Sequence, residues 1–380
     1  MNDTAEKVLV IEDDDVDIRL IQRLLITADH QSFAPTFVYR LRDGVERLKH
    51  ESFQAVLLDL GLPDSEGGTS AVRAVHEANP DIAIVVLTNL ADERLATESL
   101  REGAQDYLLK ERVDSNSLVR TLRFAMERVR LQHSERRLDE ADRKFAAARD
   151  VQQALFPKSA PQLAGWEIAG RCDPAEQTGG DYYDYFPMAD AAQAIAIGDA
   201  SGHGLGPALV MTALRSTLRT LAADYNDMYY VISRTNHIMG PDLPKQMFAT
   251  LMLVRLDPQT AQGVYISAGQ PGYLLDRHGQ VRSLLRAHFP PVMGGNDFAR
   301  MEPGEFSMAP GEILLMYTDG ITEAGVAREP FGSERMLAVV REHRHENAKT
   351  IIEELYTAVA KFTSGEAQHD DMTVVVVKRG

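Results

Sequence analysis

The residues of this chain best suited to chemistry are carboxylates at the ends of apolar runs. Glu12-Asp13 closes Val8-Leu9-Val10-Ile11, and Asp59 closes Ala55-Val56-Leu57-Leu58. Thr88 ends the run from Ile82 to Leu87, and Lys110 ends Tyr107-Leu108-Leu109. In the second half, Asp181 follows Gly179-Gly180, Asp199 follows AIAIG, Asp319 follows LLMYT and Asp370 precedes MTVVVV. Taken singly these are turn or capping signals. In sequence they form two acidic systems with no His or Cys cluster, which points to hard cations rather than zinc.

The first set predicts phosphoryl chemistry on a carboxylate. Three acidic groups at neighbouring strand ends repel one another unless a cation joins them. Mg²⁺ binds through one or two carboxylates plus a phosphate. Together with Lys110 it would neutralise an aspartyl phosphate, which the Thr88 hydroxyl would detect. The second set predicts hydrolysis. Two ions about 3.5–4 Å apart share a water, lower its pKa and clamp a phosphate for in-line attack. Asp199 is the candidate bridge between them. His203, in the GHG stretch, is a candidate for assisting the leaving group, with a turn-stabilising role as the alternative.

The elements that must position these residues fall into three parts. Over residues 7 to about 112, near-continuous apolar runs alternate with helical patterns. That predicts a parallel sheet covered on both faces, with all its strand carboxyl ends on one edge. From Asp114 to Phe156 there is neither Gly nor Pro and the charge density is high. Leu131, Leu138, Phe145 and Gln152 are seven apart, as are Ser134, Ala141, Ala148 and Leu155, so the spacing predicts a helix with a marginal a/d seam. A parallel pair would make a homodimer; Pro157 and Pro161 end the helix. Residues 162–380 alternate strands and helices without strict βα order, which predicts an α+β sandwich. The expected domains are 1–125, a linker over 126–156, and 157–380.

Composition narrows the function. Of 380 residues 44% are hydrophobic and 25% charged, which is globular. A net charge of −16 argues against nucleic acid as a direct partner. No apolar run reaches the roughly 18 residues that cross a bilayer. The opening MNDTAEKVLV lacks a secretory pattern, and Cys172 is the single cysteine, so the expected location is cytoplasmic with no membrane partner.

The pieces VLVIEDDD, AVLLDLGLPDSEG, IVVLTN and GAQDYLLK resemble the response-regulator receiver family over residues 7–125. The resemblance implies a flavodoxin-like five-stranded sheet and Asp59 as phosphoacceptor. It also implies Mg²⁺ held by Glu12, Asp13 and the Gly61 carbonyl, Thr88 and Tyr107 as the switch pair beside Lys110, and a sensor histidine kinase as partner. From residue 150 on, VQQALFP, GWEIAGRCDPAEQTGGDYYDYF, GDASGHGLGPAL, MFATLMLVRLD, YISAGQPGYLL, LLMYTDGITEA and HDDMTVVVV resemble the PPM-type metal-dependent Ser/Thr phosphatases, in particular their bacterial sporulation and stress-response branch. That resemblance implies a β-sandwich flanked by helices with two Mn²⁺ or Mg²⁺ at its edge. Asp199 would bridge the ions with the Ala200 carbonyl as companion, Asp319 and Asp370 would hold the first ion, and Asp181 would ligate directly or through water. It further implies a phosphorylated protein substrate, by family habit an anti-sigma-factor antagonist. Two residues depart from the pattern: Gln270 stands where His is usual, and Ala200 where Gly is common. The expected function is a response regulator with a protein-phosphatase output. A catalytically inactive binding module and a phosphatase of small metabolites are the alternatives.

Overall fold

The structure is a computed structural model that describes residues 5–28, 33–67, 69–89, 93–244, 246–287, 290–291, 302–325 and 329–380. The chain divides into two compact units, Met1–Ala141 and Asp142–Gly380.

In the first unit, strands β1 (Glu6–Ile11), β2 (Phe33–Val38), β3 (Ala55–Asp59), β4 (Ala83–Thr88) and β5 (Asp106–Leu109) form one parallel sheet. Its order is β2-β1-β3-β4-β5. Helices α1 (Asp15–Ala28), α2 (Leu41–His50), α3 (Ser70–Ala78) and α4 (Glu93–Arg101) connect the strands. Side chains alternate between the two faces, as strand geometry requires. Leu9, Ile11, Val56, Leu58, Ile84 and Val86 build one core, whereas Val8, Val10, Leu57, Val85 and Leu87 build the other. The expected strands are present. The run at 33–38, interrupted by Pro35, is not among those located above; it occupies the sheet edge, where a residue without an N–H costs little.

Helix α5 (Ser115–Leu155) runs unbroken through the expected connector. Asp114 and Ser117 cap its start reciprocally through Asp114 Oδ1 and Ser117 Oγ. It stops just before Pro157. Its first turns bury Leu118, Leu122, Ala125 and Met126 in the second core of the parallel-sheet unit. The heptad residues Leu131, Leu138 and Phe145 are 58%, 63% and 41% exposed, so the apolar seam of the single chain faces water. Among the described residues no helix is long and apolar enough to cross a membrane.

The second unit contains two antiparallel sheets. One is ordered β13 (Gly304–Ser307), β10 (Gln262–Ala268), β9 (Ala249–Leu256), β8 (Gln193–Ala200), β7 (Asp181–Pro187). The other is ordered β12 (Val281–Leu285), β11 (Gly272–Leu275), β14 (Ile313–Tyr317), β15 (Met372–Arg379), β6 (Trp166–Asp173). Ile195, Ile197, Met252, Val254, Leu314, Met316, Val375 and Val377 fill the space between the sheets. Helices α6 (Leu205–Asp224) and α7 (Met228–Met239) cover one outer face; α9 (Gly332–Glu342) and α10 (Ala348–Thr363) cover the other. The short α8 (Asp319–Thr322) follows β14 directly. The expected α+β sandwich is therefore present, with helices on both outer faces. In β8 the branched Ile195 and Ile197 point between the sheets and the small Ala194 and Ala196 point at the helices. At Gly198 a Cβ would come within 2.6 Å of the Thr250 carbonyl and 3.3 Å of Met211, a side chain of α6. Small residues at these positions let α6 lie close on the strand that delivers Asp199.

Candidate active sites

The first site lies at the carboxyl edge of the parallel sheet. Glu12 and Asp13 follow β1 and Asp59 ends β3, and one oxygen from each falls within 4.8 Å of the others. Glu12 is fully buried, Asp59 is nearly so and Asp13 is exposed. Lys110, just past β5, places Nζ 2.7 Å from Glu12 Oε2 and 2.9 Å from Asp59 Oδ1. Burial pulls the Lys110 pKa down, but hydrogen bonds to Asp17, Glu12 and Asp59 outweigh it and the net shift is upward. Burial also raises Glu12, and the Asp59 charge adds to the rise against the opposing hydrogen bond from Lys110. The Gly61 amide donates to Asp59 Oδ2 at 2.9 Å. A Cβ on Gly61 would sit 3.0 Å from that same oxygen, so the bare backbone preserves room beside Asp59. Thr88 is buried at the end of β4, with its carbonyl accepting the Lys110 amide at 2.9 Å; Tyr107 is half-buried against the core. An all-oxygen donor set with one cation already between two of its carboxylates fits a small hard ion.

One partner here escaped the sequence reading. Asp17 on α1 is a third carboxylate on Lys110, at 2.8 Å. Asp14 proves to be the helix cap, accepting the Val16 amide at 2.6 Å and the Asp17 amide at 3.3 Å, whereas Asp13 makes no such contact among the described residues.

The second site gathers residues from both sheets at one end of the sandwich. Asp181 opens β7 and pairs in register with Asp199 near the end of β8. Asp319 follows β14, and Asp370 precedes β15. Asp181 is 2% exposed, and its Oδ2 accepts from Thr318 Oγ1 at 2.7 Å and Thr373 Oγ1 at 2.6 Å. Those threonines belong to the opposite sheet, so the carboxylate joins the two sheets where the site begins. Burial, then the Asp199 charge, pushes Asp181 well above the usual carboxylate range. Burial, then Asp319, Asp370 and Asp371, pushes Asp199 up to about 7. Asp319 and Asp370 lie at the solvent side. Enough protein surrounds each to raise its pKa by loss of water, with Asp370 adding to the rise at Asp319 and Asp371 to that at Asp370. Mutual repulsion thus adds to burial in holding these carboxyls above their usual range. At Gly180 a Cβ would lie 2.6 Å from the Ala200 carbonyl and 3.2 Å from Asp199 Oδ1, so glycine preserves a cradle beside these two oxygens. Among the described residues these acids do not converge within 4.8 Å as the first three do.

Three further residues shape this end of the sandwich and were not singled out in the sequence. Asp371, next to Asp370 in the HDD stretch, is 4% exposed. It accepts the Ala175 amide at 2.7 Å, the Gly180 amide at 2.5 Å and the Asp181 amide at 3.3 Å. Asp184, in GGDYYD, is fully buried and bound by Arg219 of α6 through two contacts of 2.6 Å, so this acid anchors a helix. Glu176 pairs with His203 Nδ1 at 2.7 Å, both exposed. Gln270 is buried; Oε1 accepts from Thr250 Oγ1 at 2.6 Å, and its amide donates to the Tyr317 carbonyl. Here it ties the two sheets together.

Comparison with known proteins gives a family for each half of the chain. Residues 189–380 match the family Stage II sporulation protein E (SpoIIE), and residues 8–123 match the response regulator receiver domain. Protein IcfG of Synechocystis sp. is 29% identical over 61% of this chain and 40% of its own length. The phosphoserine phosphatase RsbU of Bacillus subtilis is 24% identical over 61% of this chain and 69% of its own. The chain thus spans two fifths of one relative and about two thirds of the other. The SiaA-PP2C domain of Pseudomonas aeruginosa shares the fold with a TM-score of 0.57 at 22% identity, over 64% of this chain and 98% of that one. The chain belongs to the Stage II sporulation protein E (SpoIIE) family and carries a response-regulator receiver domain ahead of the SpoIIE-type domain.

Proposed function

We propose that this chain is a two-component response regulator whose output is a metal-dependent phosphoserine/phosphothreonine protein phosphatase. The observation that carries the reading is the pairing of two oxygen-only acidic centres in one chain, each at the end of a sheet and each crowded enough to raise carboxyl pKa values. In this reading a sensor histidine kinase supplies the phosphoryl group that Asp59 accepts. Glu12, Asp13 and the Gly61 carbonyl hold Mg²⁺, Lys110 neutralises the new phosphate oxygens, and Thr88 with Tyr107 reports the change.

In the phosphatase domain, Asp199 with the Ala200 carbonyl, Asp319, Asp370 and Asp181 hold two Mn²⁺ or Mg²⁺ ions. When bound, such ions supply charge neutralisation and a more acidic water for in-line displacement at phosphorus. Asp181, held by two hydroxyls, is the most buried acid of the set. Burial raises Asp370 and the nearby His203 is a minor opposing influence, which supports a place for it near the departing hydroxyl. The domain limits are 1–125, 126–156 and 157–380, with α5 pairing through Leu131, Leu138 and Phe145 in a homodimer. The substrate class follows the phosphoserine phosphatase RsbU: a phosphorylated protein, with an anti-sigma-factor antagonist as the first candidate.

The test is phosphate release from a phosphoserine protein in Mn²⁺, run beside a panel of phosphorylated metabolites. Wild type should release phosphate from the protein, and Asp199→Asn should lose at least ~100-fold of that rate. Equal rates would remove the catalytic assignment. Faster turnover of a metabolite would replace the substrate class, and no turnover with no Mn²⁺ bound would make the domain a binding module.

A further inference from the structure

Beyond the ligands, one side chain grips the loop that carries them. Gln152 lies in the last turn of α5, within the same compact unit as the sandwich. Its Nε2 donates to the Gly179 carbonyl at 2.7 Å, and its Oε1 accepts the Gly179 amide at 3.2 Å. One carboxamide therefore satisfies both backbone groups of a single residue. The next two amides, Gly180 and Asp181, are taken by Asp371. Gly179 has no room for a side chain, because a Cβ there would lie 2.4 Å from Asp371 Oδ2. The loop is thus held between Gln152 on one side and Asp371 on the other. Two neighbouring side chains of the loop add no anchor through their oxygens: Gln177 Oε1 and Thr178 Oγ1 are buried and find no hydrogen-bond partner among the described residues. Gln152 also shares a small cavity with Asp181. Phe156, four residues on, packs against Tyr183 of β7 with ring centroids 5.5 Å apart, which fixes the helix end beside the same strand.

We infer that Gln152 is a positioning residue for the phosphatase centre: its carboxamide holds the Gly179-Gly180-Asp181 loop in the conformation that presents Asp181 and leaves the Ala200 carbonyl open. This rests on the proposed reading of Asp181 and Asp199 as metal ligands. In the heptad pattern the same residue is a weak, polar seam position, and its polarity is explained by the loop it binds. An apolar residue at 152 would serve the seam better and abandon Gly179.

The test uses the full-length chain with Gln152→Met, which keeps the length and removes both hydrogen bonds, and Gln152→Glu, which keeps the acceptor and sets an anion against the Gly179 carbonyl. Hydrogen exchange without metal should show faster exchange over residues 176–181 in both variants, with the thermal midpoint of the phosphatase domain little changed. Mn²⁺ titration by calorimetry should show weaker binding by roughly tenfold in Gln152→Met, the equivalent of about one to two net hydrogen bonds. Turnover at saturating Mn²⁺ should return to within a few-fold of wild type, a split that general destabilisation would not produce. Unchanged loop exchange, or faster exchange with unchanged Mn²⁺ affinity, would overturn the assignment. A wild type that binds no Mn²⁺ would instead sink the metal reading, and with it the inference that Gln152 serves a metal centre.

Discussion

Replacing Asp371 by Asn puts the organisation of the phosphatase centre at risk without touching a proposed ligand. The carboxylate accepts three backbone amides, from Ala175, Gly180 and Asp181. An Asn can turn its carbonyl to Gly180 and Asp181, but its amino group then meets the Ala175 N–H, donor against donor. The lost charged hydrogen bond and the stranded donor cost roughly 2–3 kcal/mol at a site that is almost fully buried. An opposing effect exists, because the Asp371 charge is among those that raise Asp181 and Asp199. Its removal relieves that repulsion by about 1 kcal/mol, since it is one of the smaller contributors at both. The hydrogen bonds win, leaving a net loss of about 1–2 kcal/mol for Asn. Asp371→Ala, which strands all three amides, should lose more. Urea unfolding of the metal-free chain at pH 7.5 measures this directly. Trp166 is the single tryptophan, is buried, and stands on β6 of the sandwich, so its fluorescence reports this domain. With a slope of about 2 kcal/mol per M urea, Asn should lower the midpoint by roughly 0.5–1 M. A midpoint unchanged or raised in Asp371→Asn would refute the claim that this acid organises the loop.

Other outcomes follow from the same geometry. Because Asp199 is raised from 3.8 to about 7, the folded state keeps a proton that the unfolded chain releases from about pH 4 upward. The metal-free phosphatase domain should therefore lose stability as pH rises through pH 4–7 and be weakest above it. Asp199→Asn should flatten that slope in Trp166-monitored melts. Lys110→Met leaves Glu12, Asp17 and Asp59 facing one another without their shared cation. The receiver domain should lose roughly 3 kcal/mol and label poorly with acetyl phosphate, and near-normal labelling would show that Lys110 is dispensable. Leu131→Glu with Leu138→Glu changes two exposed seam residues, so it should cost the monomer fold less than about 0.5 kcal/mol each. It should convert a dimer to a monomer in light scattering of the full chain, and an unchanged mass would end the coiled-coil proposal.

Much of the architecture was legible because burial imposes periodicity. The four apolar runs of the first third, the helix without Gly or Pro, and the strands ending at Asp199 and Asp319 all lie where the sequence places them. What escaped was the pairing of polar groups across distant segments. No local pattern announces that Asp17 reaches Lys110, that Asp371 serves backbone amides near residue 180, or that Asp184 is spent on Arg219. Thr318 and Thr373 read as ordinary strand-end residues until the two sheets bring both hydroxyls onto Asp181. β2 is harder to locate for a different reason: Pro35 argues against a strand in general, but not against one at an edge. Gln152 fitted a heptad imperfectly, and that imperfection was the one trace in the sequence of its contact with Gly179.

The decisive measurement is phosphate release from a phosphoserine protein in Mn²⁺, with and without acetyl phosphate, in wild type and Asp59→Asn. A receiver-controlled phosphatase should turn over, change its rate several-fold when acetyl phosphate is added, and lose that response in Asp59→Asn while keeping its basal rate. Turnover indifferent to acetyl phosphate in both proteins would contradict the control of one centre by the other, and no turnover in either would contradict the enzyme itself.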